Sequence, residues 1–157
     1  MKVEFWMIGK TAFPYLDEGM ALYEKRLGHY LSFQSVVIPD LKNAGNLSSE
    51  LVKQKEGEVL ISRLKKEDFL VLLDERGKQL SSVEFSVFLE QKFQHSAKRM
   101  VFLVGGAWGF SQEIYERADY KLSLSKMTFS HQMVRLFFLE QLYRAMTIQR
   151  GESYHNE

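Results

Sequence analysis

The chain of 157 residues predicts an α/β fold, with a largely parallel sheet and helices on both faces. Three observations lead there. Phe69-Leu-Val-Leu-Leu73 and Met100-Val-Phe-Leu-Val104 are unbroken apolar runs, the type buried on both faces of a parallel sheet. Segments with helical spacing alternate with strand-like runs from one end of the chain to the other. The apolar runs close on glycine, proline or a charged turn, where a strand leaves its sheet.

Val3 to Ile8 reads as the first strand and ends at Gly9. Pro14 suits a first helical position, Leu16, Met20, Tyr23 and Leu27 share one helical face, and Gly28 is the stop. Phe33 to Ile38 is the second strand, closed by Pro39, and Lys42 to Asn46 is a polar loop. Ser48 or Ser49 caps the next helix, whose apolar face is expected to hold Leu51, Val59 and Leu64. The strand Phe69–Leu73 then opens into a charged loop, Asp74-Glu-Arg-Gly-Lys78. Ser81 with Glu84 matches a capping box, and Phe85, Phe88 and Leu89 face inward from the helix it starts. After the strand Met100–Val104, Ser111 caps a short helix through Arg117. Lys121 to Ser125 is the last strand, and Gln132 to Ile148 a closing helix. No linker, internal repeat or low-complexity tract interrupts residues 1–157, so a single domain is expected.

Composition narrows the function classes. A hydrophobic content of 45% with 13% aromatic residues excludes disordered and fibrous chains. No apolar run approaches the roughly 20 residues of a membrane span, and the start Met-Lys-Val-Glu-Phe-Trp is too short and acidic for a signal peptide. The absence of cysteine removes thiolate metal sites and disulfides and fits a cytoplasmic protein. No histidine spacing suggests a metal site. With a formal net charge of +1, any nucleic-acid contact must come from local patches.

The closing helix carries Met133, Val134, Leu136, Phe137, Phe138, Leu139, Leu142, Tyr143, Met146 and Ile148 around its whole circumference. A helix apolar on all sides is buried on all sides, and a second copy of the chain is the simplest cover. A symmetric homodimer is therefore expected.

The candidate site gathers in the last third. Gly105-Gly-Ala-Trp-Gly109 follows a strand and precedes a helix, so its backbone can approach a ligand closely. Its spacing is not a dinucleotide fingerprint, and a tight turn without a ligand is the commoner use of such a run. Ser123, Ser125 and Thr128 alternate with Leu124, Met127 and Phe129, a mixture that suits a flat ring such as adenine. The same residues would serve a strand end followed by a helix cap at Thr128 or Ser130. His131 and Arg135 lie one turn apart and read most simply as an interface pair, and Glu140 and Arg144 as an i,i+4 ion pair. Tyr154 and His155 follow Gly151 on a tail with little to hold it, where chains usually fray. In a dimer that tail could reach the partner's pocket.

In order and spacing these pieces resemble one family. Gly105-Gly-Ala-x-Gly109, Leu122-Ser-Leu-Ser-Lys-Met-Thr-Phe-x-His131, Leu139-Glu-Gln-Leu-Tyr-Arg-Ala145, Leu73-Asp-Glu-Arg-Gly-Lys78 and the terminal Tyr154-His155 are similar to RlmH. That is a family of small SPOUT-class methyltransferases acting on large-subunit ribosomal RNA. The resemblance implies a deep trefoil knot near the C-terminus, an obligate homodimer, and S-adenosylmethionine as methyl donor. It implies methylation of N3 of a pseudouridine in the helix 69 loop of 23S rRNA, on the assembled ribosome. Periodicity implies no knot, since knots are rare in proteins. By position, the cofactor pocket is expected at Leu73, Gly105, Leu124, Ser125, Lys126, Met127, Thr128 and Phe129. His155, delivered by the partner's tail, is expected to assist proton removal, and Tyr154 to stack on the target base. Arg135, Arg144 and Lys126 are the expected phosphate contacts. Ser130 stands where the family usually has proline, and Asn156 where a basic residue is common. A different SPOUT specificity, or a non-catalytic dimer that binds a nucleotide or RNA, would share the same loops.

Overall fold

In a computed structural model, which describes residues 1–95 and 97–156, the most apolar strands lie at the centre of the sheet. β1 (Lys2–Ile8), β3 (Asp68–Gln79) and β4 (Arg99–Val104) hold the centre, while β2 (Ser32–Ile38) and β5 (Tyr120–Ser123) form the edges. The sheet runs β2-β1-β4-β3-β5 and every pairing is parallel. Pleating divides the central strands into two cores, because successive side chains point to opposite faces. Val3, Phe5, Met7, Val71, Met100, Phe102 and Val104 face one side, and Trp6, Ile8, Leu70, Leu72, Val101 and Leu103 the other.

The first side is covered by α1 (Pro14–Leu27), α3 (Ser82–Phe93) and α5 (Met133–Gln149), with α5 packed between the other two. Phe138 of α5 sits on Phe5 and Phe102, with ring centroids 4.7 and 4.8 Å away. Gly19 lets α1 approach α5 closely: a Cβ there would lie 3.0 Å from the Leu136 side chain. The second side is covered by α2 (Ser49–Arg63) and α4 (Gln112–Arg117). Ser48, Ser81 and Ser111 are the helix caps that the sequence suggests, and Ser81 with Glu84 forms the reciprocal capping box. At the amino end of the sheet Arg99 bridges Asp68 and Glu4, and Glu4 also accepts from the Trp6 indole. The carboxyl end is thereby left for the ligand.

Four expectations need correction. Charged residues 74–78 do not leave the sheet as a loop: β3 runs on to Gln79, re-pairing with β5 after an irregularity between Leu73 and Lys78. Glycine at 77 permits this, because a Cβ would stand 2.7 Å from the Lys121 carbonyl. The last strand covers Tyr120–Ser123, one residue earlier at its start than expected, and Leu124–Ser125 belong to the loop that follows. In α2 the buried residues are Val52, Gly57 and Leu60, while Leu51, Val59 and Leu64 flank them half-buried. Finally, α5 needs less of a partner than its composition suggests. The sheet, α1 and α3 bury Phe138, Leu139, Leu142, Ala145 and Met146 fully, and Phe137 is the one large apolar α5 side chain that stays exposed, at 40%.

Among the described residues no helix is long and apolar enough to cross a membrane.

Candidate active site

A cavity of about 720 Å³ opens at the carboxyl ends of β3, β4 and β5, within the range of small-molecule sites. Three segments form most of its wall, Leu73–Arg76, Val104–Phe110 and Leu122–Ser125 with the loop that continues to His131, and Glu50 and Lys53 of α2, Tyr115 of α4 and Val134 of α5 complete it. Of the eight expected cofactor positions, Leu73, Gly105, Leu124, Ser125, Met127, Thr128 and Phe129 line it together. Lys126 does not, and its side chain is exposed. Met127 is also more exposed than an adenine wall would be, at 76%, so its side chain stands at the mouth.

Each wall has a local cause. The glycine segment folds into a four-residue turn closed by a hydrogen bond from Gly109 N to Gly106 O (3.1 Å), with Gly109 at φ +84°. A Cβ at Gly105 would lie 3.3 Å from the Phe110 ring, and one at Gly106 3.1 Å from the Glu56 carboxylate. The bare backbone thus lies between the cavity and side chains already in place. The hydroxyl segment holds itself in shape. Ser123 Oγ donates to Ser125 O (2.8 Å), Ser125 Oγ accepts from Met127 N (3.0 Å), and Ser130 Oγ accepts from Met133 N (3.0 Å) at the start of α5. Thr128 Oγ1 donates to Glu75 (2.6 Å) and so ties this loop to the extension of β3.

Carboxylates slightly outnumber cations in the cavity lining, with Glu50, Asp74 and Glu75 against Lys53 and Arg76. Glu50 pairs with Lys53 at 2.8 Å on α2, and Glu75 and Arg76 are neighbours on β3. Asp74 accepts from Arg76 N (3.0 Å). Burial, and then the adjoining Asp74 carboxylate, push the Tyr115 phenol in the cavity wall up to about 12. Glu56, behind the glycine turn, titrates above its ordinary range because it is buried and faces Asp40.

The tail is not frayed. Gly151, at φ +65°, ends α5 in a Schellman motif, with Gly151 N bonded to Ile148 O and Glu152 N to Thr147 O, both at 3.0 Å. Glu152 accepts from Tyr30 (2.6 Å). Tyr154 lies edge-on to Tyr143 and under the Arg144 guanidinium, and donates to Glu140 (2.9 Å). Burial, then the hydroxyl of Tyr23 and Glu140, push its phenol upward, which keeps the proton on. His155 Nδ1 lies 3.1 Å from Arg144 Nη1. Neither Tyr154 nor His155 lines the large cavity of its own chain. Glu140 does line a smaller cavity of about 320 Å³ that shares Leu122, Ser123, Leu124 and Phe129 with the first.

Two expected phosphate contacts are otherwise engaged. Arg135 is wholly buried and donates to Ile8 O (2.8 Å), Gly9 O (2.9 Å) and Thr11 Oγ1 (3.2 Å). It clamps α5 to the end of β1 and cannot reach a phosphate at the surface, nor does it pair with His131, which is exposed at the cavity. Arg144 makes the expected ion pair with Glu140 (2.6 Å) and is shared with the tail. The sequence reading missed Tyr115, Glu75, Lys53 and Trp108 as cavity residues. Trp108 alone carried a signal, an aromatic side chain set in a glycine turn.

A family model described as "Predicted SPOUT methyltransferase" matches residues 1–155. A protein of Parabacteroides distasonis called "Ribosomal RNA large subunit methyltransferase H" is 53% identical over the full length of both chains. A protein of the same name from Cytophaga hutchinsonii is 52% identical, over 99% of this chain and 100% of its own. Among solved structures, a probable methylase family protein from Haemophilus influenzae superposes on 95% of this chain and 66% of its own, with a TM-score of 0.50 and 12% identity, a likeness of fold. Such full-length agreement, over loops that converge on one cavity, places the chain in the SPOUT methyltransferase family.

Proposed function

We propose that this chain transfers a methyl group from S-adenosylmethionine to N3 of a pseudouridine in the helix 69 loop of 23S rRNA, acting as a homodimer on the assembled ribosome. One observation carries the reading: seven of the eight residues expected to hold the donor line a single cavity at three strand ends. The names of the full-length relatives support ribosomal RNA of the large subunit as substrate. The same reading includes a trefoil-knotted path near the C-terminus, as the family resemblance implies.

The cavity fits the donor chemically. Leu73, Leu124 and Phe129 offer apolar faces to an adenine, the Ser123–Thr128 segment offers hydroxyls and backbone groups, and Gly105 leaves space for close approach. When bound, S-adenosylmethionine supplies an electrophilic methyl on a sulfonium. The protein's part is to align the acceptor in line with that methyl and exclude water, so positioning supplies much of the rate. The acceptor nitrogen carries an imide proton. His155, from the partner's tail, takes or orients that proton, and Tyr154, kept protonated, holds the ring. The tail's compact fold on Glu140 and Arg144 fixes the direction in which it is presented.

A homodimer is supported by the apolar residues exposed on the helical layer: Phe13 and Tyr15 at the start of α1, Leu22 on it, Val83 and Val87 on α3, and Phe137 on α5. The test is methyl incorporation from labelled donor into ribosomes lacking the modification, with the product nucleotide mapped by mass spectrometry. A methyl at N3 of the helix 69 pseudouridine is expected. Donor binding without incorporation would keep the pocket and refute the substrate. Unchanged turnover in His155→Ala at saturating ribosome would refute the role of His155.

A further inference from the structure

We infer that Trp108 and Met127 form the two lips of a stacking platform for an unpaired base of the RNA substrate, at the mouth of the cavity. The inference rests on the methyltransferase reading above and adds to it the means by which a weakly charged protein grips RNA. Both side chains line the cavity, yet they are 60% and 76% exposed, more than Phe129, Leu124 or Leu73 deeper within. They come from different segments, the glycine turn after β4 and the hydroxyl loop after β5. An exposed tryptophan contributes little to its own fold, and two large apolar groups facing one opening ask for a flat ligand.

The turn that carries Trp108 fixes the backbone from which the ring projects. Its third position is fixed between Gly106 and Gly109 by the closing hydrogen bond and by an antiparallel bridge between those glycines. Behind the turn, the Glu56 side chain abuts Gly106. With few side-chain torsions to settle, a tryptophan on a fixed backbone loses little conformational freedom when a base lands on it. The charges nearby favour stacking over phosphate contact, because the carboxylates Glu50, Asp74 and Glu75 outnumber the cations Lys53 and Arg76 in the same lining. What the mouth offers an RNA is therefore a pair of uncharged faces, and an unpaired base is the part of RNA that has one to match.

The experiment compares wild type, Trp108→Ala, Trp108→Phe and Met127→Ala for methyl transfer to unmodified ribosomes, for donor binding by calorimetry, and for dimer content by light scattering. Trp108→Ala should raise KM for ribosomes about tenfold, the loss of roughly one stacked base, with kcat, donor affinity and dimer content close to wild type. Trp108→Phe should recover most of the loss, and Met127→Ala should show a smaller rise. An unchanged KM in Trp108→Ala overturns the platform while leaving the methyltransferase reading intact. A tenfold loss of donor affinity would assign Trp108 to the cofactor, and loss of dimer would assign it to the partner chain; either overturns the inference. A wild-type protein that binds donor and methylates no ribosome removes the reading and the platform together.

Discussion

Arg135 separates a structural from an RNA-binding use of the same cation, and Arg135→Met is the perturbation that decides between them. Methionine keeps an unbranched side chain in the space but removes every donor. Ile8 O and Gly9 O then lose the guanidinium at 2.8 and 2.9 Å, and Thr11 Oγ1 loses it at 3.2 Å. Each buried acceptor left unmatched costs about 1–3 kcal/mol. Part of that is offset because the guanidinium is itself poorly solvated, as shown by burial lowering its pKa. A net destabilisation of about 2–4 kcal/mol follows, and a chain of this size changes its Tm by about 2–4 °C per kcal/mol. Thermal melts at fixed protein concentration, which removes any effect of self-association, should therefore fall by about 5–15 °C. Ribosome KM, measured well below the transition and at two salt concentrations, should hardly move. An unchanged Tm with a KM that rises and loses salt dependence would refute the clamp and restore the phosphate contact.

Three further outcomes follow from the same geometry. Gly77→Ala places a methyl 2.7 Å from the backbone of Lys121, which cannot move as a flexible side chain would; a loss of about 1–3 kcal/mol with weakened donor binding is expected, by denaturation and calorimetry. Ser81→Ala removes the capping box of α3 and should cost about 1 kcal/mol while leaving methyl transfer untouched. Glu56 has a folded-state pKa raised by burial and then by Asp40. The native state thus holds its proton to higher pH than the unfolded chain, and the protein loses stability as pH rises from the ordinary glutamate value through the raised one. Glu56→Gln should be more stable than wild type at pH 7, with the gain vanishing as pH falls toward 4; an equal gain at both would refute burial of the charge as its cause.

What the sequence made legible is what local chemistry determines. Strands buried on both faces, the serine caps, Ser81 with its Glu84 among them, and the glycine turn are visible because each depends on residues adjacent in the chain. The failures are long-range. Residues 74–79 look like a loop because they are charged, yet β5 returns to pair with Lys78 and Gln79 through Leu122 and Ser123, far along the chain. Arg135 looks like a surface cation because nothing nearby in sequence announces that Ile8 and Gly9 will present carbonyls to it. The tail looks loose because its anchors, Tyr30 and Tyr23, lie more than 120 residues away. For the cavity, positions 124–129 were identifiable by hydroxyl spacing and family resemblance, whereas Tyr115 and Lys53 enter it from helices on the opposite face of the sheet.

The position of the tail carries one further consequence. Within one chain Tyr154 and His155 fold onto Glu140 and Arg144 and do not line the large cavity. In the proposed dimer, the histidine that serves a base bound there comes from the other protomer. Two inactive variants should then repair each other. His155→Ala has an intact pocket and a dead tail, and Gly105→Val, whose added atoms crowd Phe110 and the cavity, has a dead pocket and an intact tail. After mixing and subunit exchange, random pairing makes half the dimers mixed, and each mixed dimer joins one intact pocket to one intact tail. About one quarter of wild-type turnover should return, with the donor bound only by the His155→Ala protomers. If pocket and tail act within one chain, every chain in the mixture keeps its own defect, and turnover should stay at the level of the separate variants.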